Sequence, residues 1–257
     1  MRGFHKGTNG FISYISGVSK MSVRIFYGFP EACLDFFEQL RNNNRKQWFD
    51  EHREDFEKNV MTPARLFVHD MGNALREIAP GIIADSRMNR SIFRPYRDTR
   101  FSHNKTPYKT HLGIFFWEGR MAKMDCPGFY FHLEPPTIML GVGNHCFSRD
   151  HLEQYRQSVV DPVHGKSLNN AIRKVVSKGP YDIGVEKYKK VPRGYDKNHE
   201  NARLLLLAGL TASCEMPAPD ELMSNQLIDF CFERFRDMQP IHKWLVEMNE
   251  RIMKSTK

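Results

Sequence analysis

The 257-residue sequence has no CxxC pair, and its five cysteines (Cys33, Cys126, Cys146, Cys214, Cys231) are odd in number and widely scattered. That pattern argues against a disulfide framework or a small zinc module, and it fits buried free thiols in a reducing, cytoplasmic setting. No apolar run approaches the roughly 18 residues needed to span a bilayer, so no membrane partner is expected. GxSxG and GxxxxGK[ST] are both missing, which removes the familiar nucleophile elbow and phosphate loop. No HExxH, paired Asp or close His/Cys spacing occurs, so neither a metal nor another cofactor is expected. Gly141-Val142-Gly143 is a lone GxG at a strand end and reads as a tight turn.

The sequence has plenty of positive charge, and most of it is local. Between Arg87 and His111 seven Lys/Arg (87, 90, 94, 97, 100, 105, 109) stand against one acid, Asp98, so this window carries +6 of a formal net charge of +8. Residues 1–22 hold Arg2, Lys6 and Lys20. A broad nucleic-acid face would spread its cations more widely, so a focused anion site is an equal reading of the basic pI. Hydrophobic content of 40% and charged content of 26% are those of an ordinary globular protein.

Along the chain, Cys33, Leu34, Phe36, Phe37 and Leu40 keep helical spacing after Pro30, and Asn42-Asn43-Asn44 breaks the helix. A second helix is expected over about 46–60, and Thr62-Pro63 reads as the start of a third. Short aromatic and branched runs follow at 91–93, 111–117, 129–133 and 138–142, separated by Gly and Pro. They predict a largely antiparallel sheet. Helices are expected over about 149–160 and 167–177, with Pro162 between them. Residues 200–207 read as helical and 210–214 as a short strand. Pro240 should divide a helix near 227–238 from a last one near 241–252. The fold class expected is α+β: a mainly antiparallel sheet in the middle of the chain, packed by N-terminal and C-terminal helices. One domain over 23–257 follows a flexible leader over 1–22, with Met21 as a second candidate start.

Several stretches together resemble a known family. They are Asn42-Asn43-Asn44 with Trp48-Phe49, Phe93-Arg94 through Arg97-Asp98-Thr99-Arg100-Phe101-Ser102 to Lys105-Thr106-Pro107-Tyr108-Lys109, the strand 128–134, and Pro192-Arg193-Gly194-Tyr195-Asp196 with His199. The chain from Phe29 to Met253 is similar to a widespread bacterial and fungal family of conserved hypothetical proteins, a domain of unknown function. The resemblance implies no activity, so the residues themselves must carry the functional reading.

In the central stretch Pro95 and Pro107 oppose a continuous helix, so its cations should lie on an extended, looping segment. Arg94, Arg97, Arg100, Lys105 and Lys109 are the candidate anion ligands, because Arg offers a planar fork to phosphate or carboxylate and Lys a mobile point charge. Ser102, Tyr108 and His111 are candidate hydrogen-bonding neighbours. A phosphate-bearing ligand is expected, with a nucleotide, nucleic acid or phosphorylated metabolite all open. The competing structural reading is a polar clasp in which Asp98 pairs with an Arg. In Phe129-Tyr130-Phe131-His132-Leu133-Glu134, strand alternation puts Tyr130, His132 and Glu134 on one face. That face is either solvated or the floor of a pocket. In the second case the protein is an enzyme, a hydrolase or transferase with Asp98, His132 or Glu134 moving protons. The basic stretch 187–194 either extends the site or is an exposed loop. The sequence does not set the oligomeric state.

Overall fold

The computed structural model describes residues 24–255; the expected leader over 1–22 lies outside them. Helix α1 spans Glu31–Asn42, with Pro30 at its N-cap and Cys33, Phe36, Phe37 and Leu40 buried. The turn at Asn43 leads into α2 (Lys46–Glu51), a short α3 (Arg53–Asp55), a π-helical turn over Phe56–Met61, and α4 (Thr62–Leu75). α4 does start at Thr62-Pro63, but it continues the π turn without a break, since Met61 is already helical. Pro63 has no N–H to donate, and the backbone absorbs this by widening to π register just before it. The Thr62 hydroxyl then donates to the Glu57 carbonyl at 2.9 Å, in place of capping a new helix.

Strands β1 (Ile82–Ile83), β2 (Leu112–Glu118), β3 (Gly128–Glu134) and β4 (Thr137–Asn144) follow. The chain continues through α5 (Arg149–Val160), α6 (Pro162–Val176), β5 (Asp182–Glu186), β6 (Leu207–Pro217) and α7 (Leu227–Ser255). The fold is α+β: a six-stranded antiparallel sheet in the order β1-β2-β3-β4-β6-β5, flanked by N- and C-terminal helices.

Several local expectations are corrected. Residues 91–93 contribute two isolated bridges, Ile92 to Met88 and Ile92 to Ile114, and no strand. Pro162 both stops α5 and starts α6, because Asp161 accepts from the N–H groups of Val163 and His164 and so caps the new helix at once. Residues 202–206 form a 3-10 turn. Pro240 lies inside an unbroken α7. Ile241, Trp244, Leu245 and Met248 beyond it are buried in the same core as Phe235 and Met238 before it, and this packing outweighs the missing hydrogen bond.

The core lies on one face of the sheet. Phe129, Phe131 and Leu133 point into it from β3, and Ile138, Leu140 and Val142 from β4. Phe131 stacks on Phe29 at 5.8 Å and lies 4.7 Å from Phe67 of α4, which ties the N-terminal helices to the central strand. Each such ring pair contributes about 0.5–1.5 kcal/mol beyond its burial. The other face carries a small cluster, Phe115, Trp117 and Cys126, against which Phe93 and Tyr130 pack. Beyond that cluster the same face turns polar.

Candidate functional site

The polar end of that face is built by strand register. On β3 Tyr130, His132 and Glu134 are half-buried while Phe129, Phe131 and Leu133 are buried, so the alternation legible in the sequence is what the strand adopts. Leu112 of β2 faces Leu133, which brings His111, one residue earlier, beside Glu134. The His111 Nδ1 lies 4.0 Å from Glu134 Oε2, and His132 Nε2 lies 3.4 Å from the same oxygen. The two imidazole rings are 4.3 Å apart. Tyr130 Oη meets His132 Nδ1 at 3.0 Å, and the Thr110 hydroxyl donates to Glu134 Oε1 at 2.8 Å. Among the described residues His111, His132 and Glu134 can each present one ligand atom within 4.8 Å of the others.

Gly113 sits opposite His132 and makes room for this arrangement. A Cβ there would lie 2.7 Å from Tyr130 Oη and 3.2 Å from the Phe93 ring. The hydroxyl that orients His132 therefore occupies space a side chain would take.

The basic segment folds back on itself as a hairpin. Arg97 donates its N–H to Pro107 and Lys109 donates to Pro95, so Tyr96 and Tyr108 face each other across it. Asn44, from the turn after α1, donates its side-chain amide to the Tyr108 carbonyl at 2.9 Å and accepts the Tyr108 N–H at 3.0 Å. Phe49 of α2 stacks on the Tyr108 ring at 4.1 Å. Between hairpin, turn and strand lies an open pocket of about 440 Å³, lined by Arg41, Asn44, Arg97, Asn104, Thr106, Tyr108, Lys109, Thr110 and His111. Arg41 also donates to the carbonyl of Pro135, the residue after Glu134.

The sequence-derived candidates divide into two groups. Arg97, Tyr108, Lys109 and His111 line the pocket, and His111 adjoins His132 and Glu134. Tyr108 is a wall: it is 2% exposed, with its backbone held by Asn44. Asp98 and Arg100 bind each other through two side-chain hydrogen bonds and one from the Arg100 N–H at the hairpin tip, and do not line the pocket. Lys105 donates to the Thr99 carbonyl, while Ser102 sits at the tip near Phe101, which is 94% exposed. Arg94 is exposed and lines no part of the pocket. Arg87 and Arg90 converge on Asp85. Residues 187–194 follow β5, at the sheet edge opposite β1, and do not extend the pocket. Sequence reasoning missed Arg41 and Thr110 and gave Asn44 a mainly local role. Only the approach of three separate segments makes them neighbours.

Burial dominates the electrostatics. It pushes His111 down to about 4, assisted by the neighbouring His132. It also lowers Lys109, with Arg94 adding like-charge repulsion. Tyr130 is pushed up to about 12 by burial, so its hydroxyl stays neutral. Burial alone would raise Glu134, but the hydrogen bonds from Thr110 and His132 outweigh it and hold the carboxylate below its ordinary range. Asp98 is lowered to about 2, first by its side-chain bond from Arg100.

A family described as conserved hypothetical protein (DUF2461) matches residues 32–244, most of the chain. The chain belongs to the DUF2461 family. No curated protein matches it at a significant level. The pocket and the His111–His132–Glu134 group lie wholly within the DUF2461 match. So does the stretch 192–199, where Tyr195 donates to Glu153 of α5 and the His199 ring accepts the N–H of Asn201. Asn201 in turn donates to the Val159 carbonyl, so this stretch fastens the end of α5. Among the described residues no helix is long and apolar enough to cross a membrane.

Proposed function

We propose that the pocket binds a small phosphate-bearing anion, a nucleotide or phosphorylated metabolite in preference to a long nucleic acid. The carrying observation is that Arg41, Arg97 and Lys109 line one concavity, and among the described residues none of the three forms an ion pair with a carboxylate. Most other cations of the hairpin region are already committed, to Asp85, Asp98 or a backbone carbonyl. Three unneutralised charges around a pocket favour an anion that supplies the missing counter-charge. The Asn44 amide adds an uncharged donor, while the Thr106 and Thr110 hydroxyls already donate to Asn104 and Glu134. The pocket's size favours a compact ligand over a strand of nucleic acid, whose grooves run long and carry exposed aromatics. All five cysteines are free, which agrees with a reducing compartment such as the cytoplasm.

Thermal melts in inorganic phosphate, pyrophosphate and mononucleotides, against chloride at equal ionic strength, test the reading. A ligand at 100 times its Kd should stabilise the native state by about 2.7 kcal/mol. A wild-type protein indifferent to every phosphate species would overturn it.

A second reading, catalysis on such a ligand, draws on the contact between pocket and strand. Thr110 and His111 line the pocket and touch Glu134 and His132, the acid/base candidates. Asp98 is held apart from them in its pair with Arg100.

A further inference from the structure

We propose that His111, His132 and Glu134 form a binding site for one divalent transition cation of the zinc class, bordering the cationic pocket. No sequence motif announces it, because two ligands come from β3 and the third from the residue just before its neighbour β2.

The spacing of these atoms, and the groups on their far sides, point to an ion between them. His111 Nδ1 and Glu134 Oε2 are 4.0 Å apart, beyond hydrogen-bond range, and His132 Nε2 reaches the same oxygen only at 3.4 Å. All three ligand atoms lie within 4.8 Å of one another. Around a tetrahedral ion with bonds of about 2.0–2.1 Å, ligand atoms stand about 3.4 Å apart. The group is therefore spaced as neighbours around a common centre, and side-chain shifts below about 1 Å would close it on an ion.

The outer atoms are already fixed. Tyr130 Oη holds His132 Nδ1, which leaves Nε2 directed at the centre. Thr110 donates to Glu134 Oε1, so Oε2 faces the two imidazoles, and an ion there would replace its long contact with His132 Nε2. A partner on the far ring nitrogen and on the second carboxylate oxygen is the usual way proteins orient metal ligands. Gly113 gives the Tyr130 hydroxyl its space.

The donor set selects the ion. Two imidazoles and one carboxylate suit Zn²⁺, Fe²⁺, Co²⁺ or Mn²⁺, whereas Ca²⁺ and Mg²⁺ seek oxygen shells. Three protein ligands leave at least one coordination position open. His111 belongs both to this group and to the pocket wall, so an anion held by Arg97 and Lys109 can reach the ion. An added divalent charge beside two unpaired cations is disfavoured electrostatically, and a bridging phosphate would reverse that. Metal and phosphate should consequently bind with positive coupling. This coupling rests on the anion reading given above; the metal site itself does not.

The test uses full-length, tag-free protein carrying Cys146→Ser, since the exposed Cys146 thiol could capture soft ions by itself. Titration calorimetry with Mn²⁺ and Co²⁺, with visible absorption for Co²⁺, should give one ion per chain. His132→Ala and Glu134→Gln should each weaken binding at least tenfold while circular dichroism stays native. His111→Ala, on the pocket rim, supplies the same reading should either of the others fail to fold. Inorganic phosphate should tighten Mn²⁺ binding several-fold. Absence of one-to-one binding, or unchanged affinity in folded variants, overturns the metal site. One-to-one binding that phosphate leaves unchanged, in a protein whose melt also ignores phosphate, keeps the metal site and removes the anion reading.

Discussion

The Asn44 side chain forms two hydrogen bonds with the backbone of Tyr108, donating to its carbonyl and accepting its N–H. A side-chain amide thus behaves as one residue of a β-ladder, and it joins the turn after α1 to the hairpin that walls the pocket. Asn44→Ala should lower stability by about 1–3 kcal/mol, because both buried backbone groups lose their partner. Asn44→Asp should fare no better, since the new carboxylate oxygen faces the Tyr108 carbonyl. Urea midpoints with unchanged slopes check both.

Arg97 and Arg100 lie three residues apart and should respond oppositely. Arg100 is bonded to Asp98 at the exposed tip, so Arg100→Ala should leave any phosphate-induced rise in Tm intact. Arg97 lines the pocket, and Arg97→Lys exchanges a fork for a point charge. It should weaken phosphate by about 1–2 kcal/mol, roughly five- to thirtyfold in Kd. Equal losses in both variants would argue for a diffuse charge effect.

Gly113→Ala should destabilise the folded state by about 1–3 kcal/mol, as an overpacked site does. The added methyl meets Tyr130 Oη and the Phe93 ring, so one or both must move. Gly113→Ala combined with Tyr130→Phe, which deletes the hydroxyl, should recover part of the loss. A double-mutant cycle in urea measures that coupling.

Acid sensitivity should concentrate at His242 and Glu118. His242 is buried in α7, its Nε2 lies 2.7 Å from Glu118 Oε2, and its Nδ1 has no hydrogen-bond partner. Burial lowers the histidine, which is therefore neutral, with Nε2–H donating to the carboxylate. The bond from His242 leads in holding Glu118 below its ordinary range. Both groups take up protons more readily unfolded than folded. Stability should thus fall as pH drops below about 6.5, where the unfolded histidine titrates, and further below about 4.3, where the unfolded glutamate does. Glu118→Gln keeps an acceptor but removes the second part, so its urea midpoint should decline less steeply below pH 5 than the wild type's. Parallel declines would mean that Glu118 is not held ionised by the fold.

Much of the architecture was legible because local patterns agreed with their surroundings. The alternation of residues 129–134 placed Tyr130, His132 and Glu134 together, and the helical spacing of Cys33, Phe36, Phe37 and Leu40 survived intact. Strand β5 was missed because Gly184, at φ +82°, sits at an irregular register that breaks the period of two. Pro240 misled because propensity yields where both flanks of a helix are buried in one core. For the site, the charge cluster was visible but its division was not. Whether Arg100 or Arg97 faces a pocket depends on which of them meets Asp98, and a sequence does not record that contact. His111 and Glu134 are 23 positions apart, and only the pairing of β2 with β3 makes them neighbours.

The Asn44–Tyr108 pairing also closes an edge of the hairpin backbone. The Tyr108 N–H and carbonyl point outward from the hairpin, away from the strand that contains Tyr96. Left open, they would offer a template on which a foreign strand could lengthen the ladder. One asparagine caps that template from within the chain, and Pro95 and Pro107, which have no N–H to lend, flank the Tyr96–Tyr108 bridge. The segment richest in cations is thereby also one whose outer backbone edge is closed from within the chain.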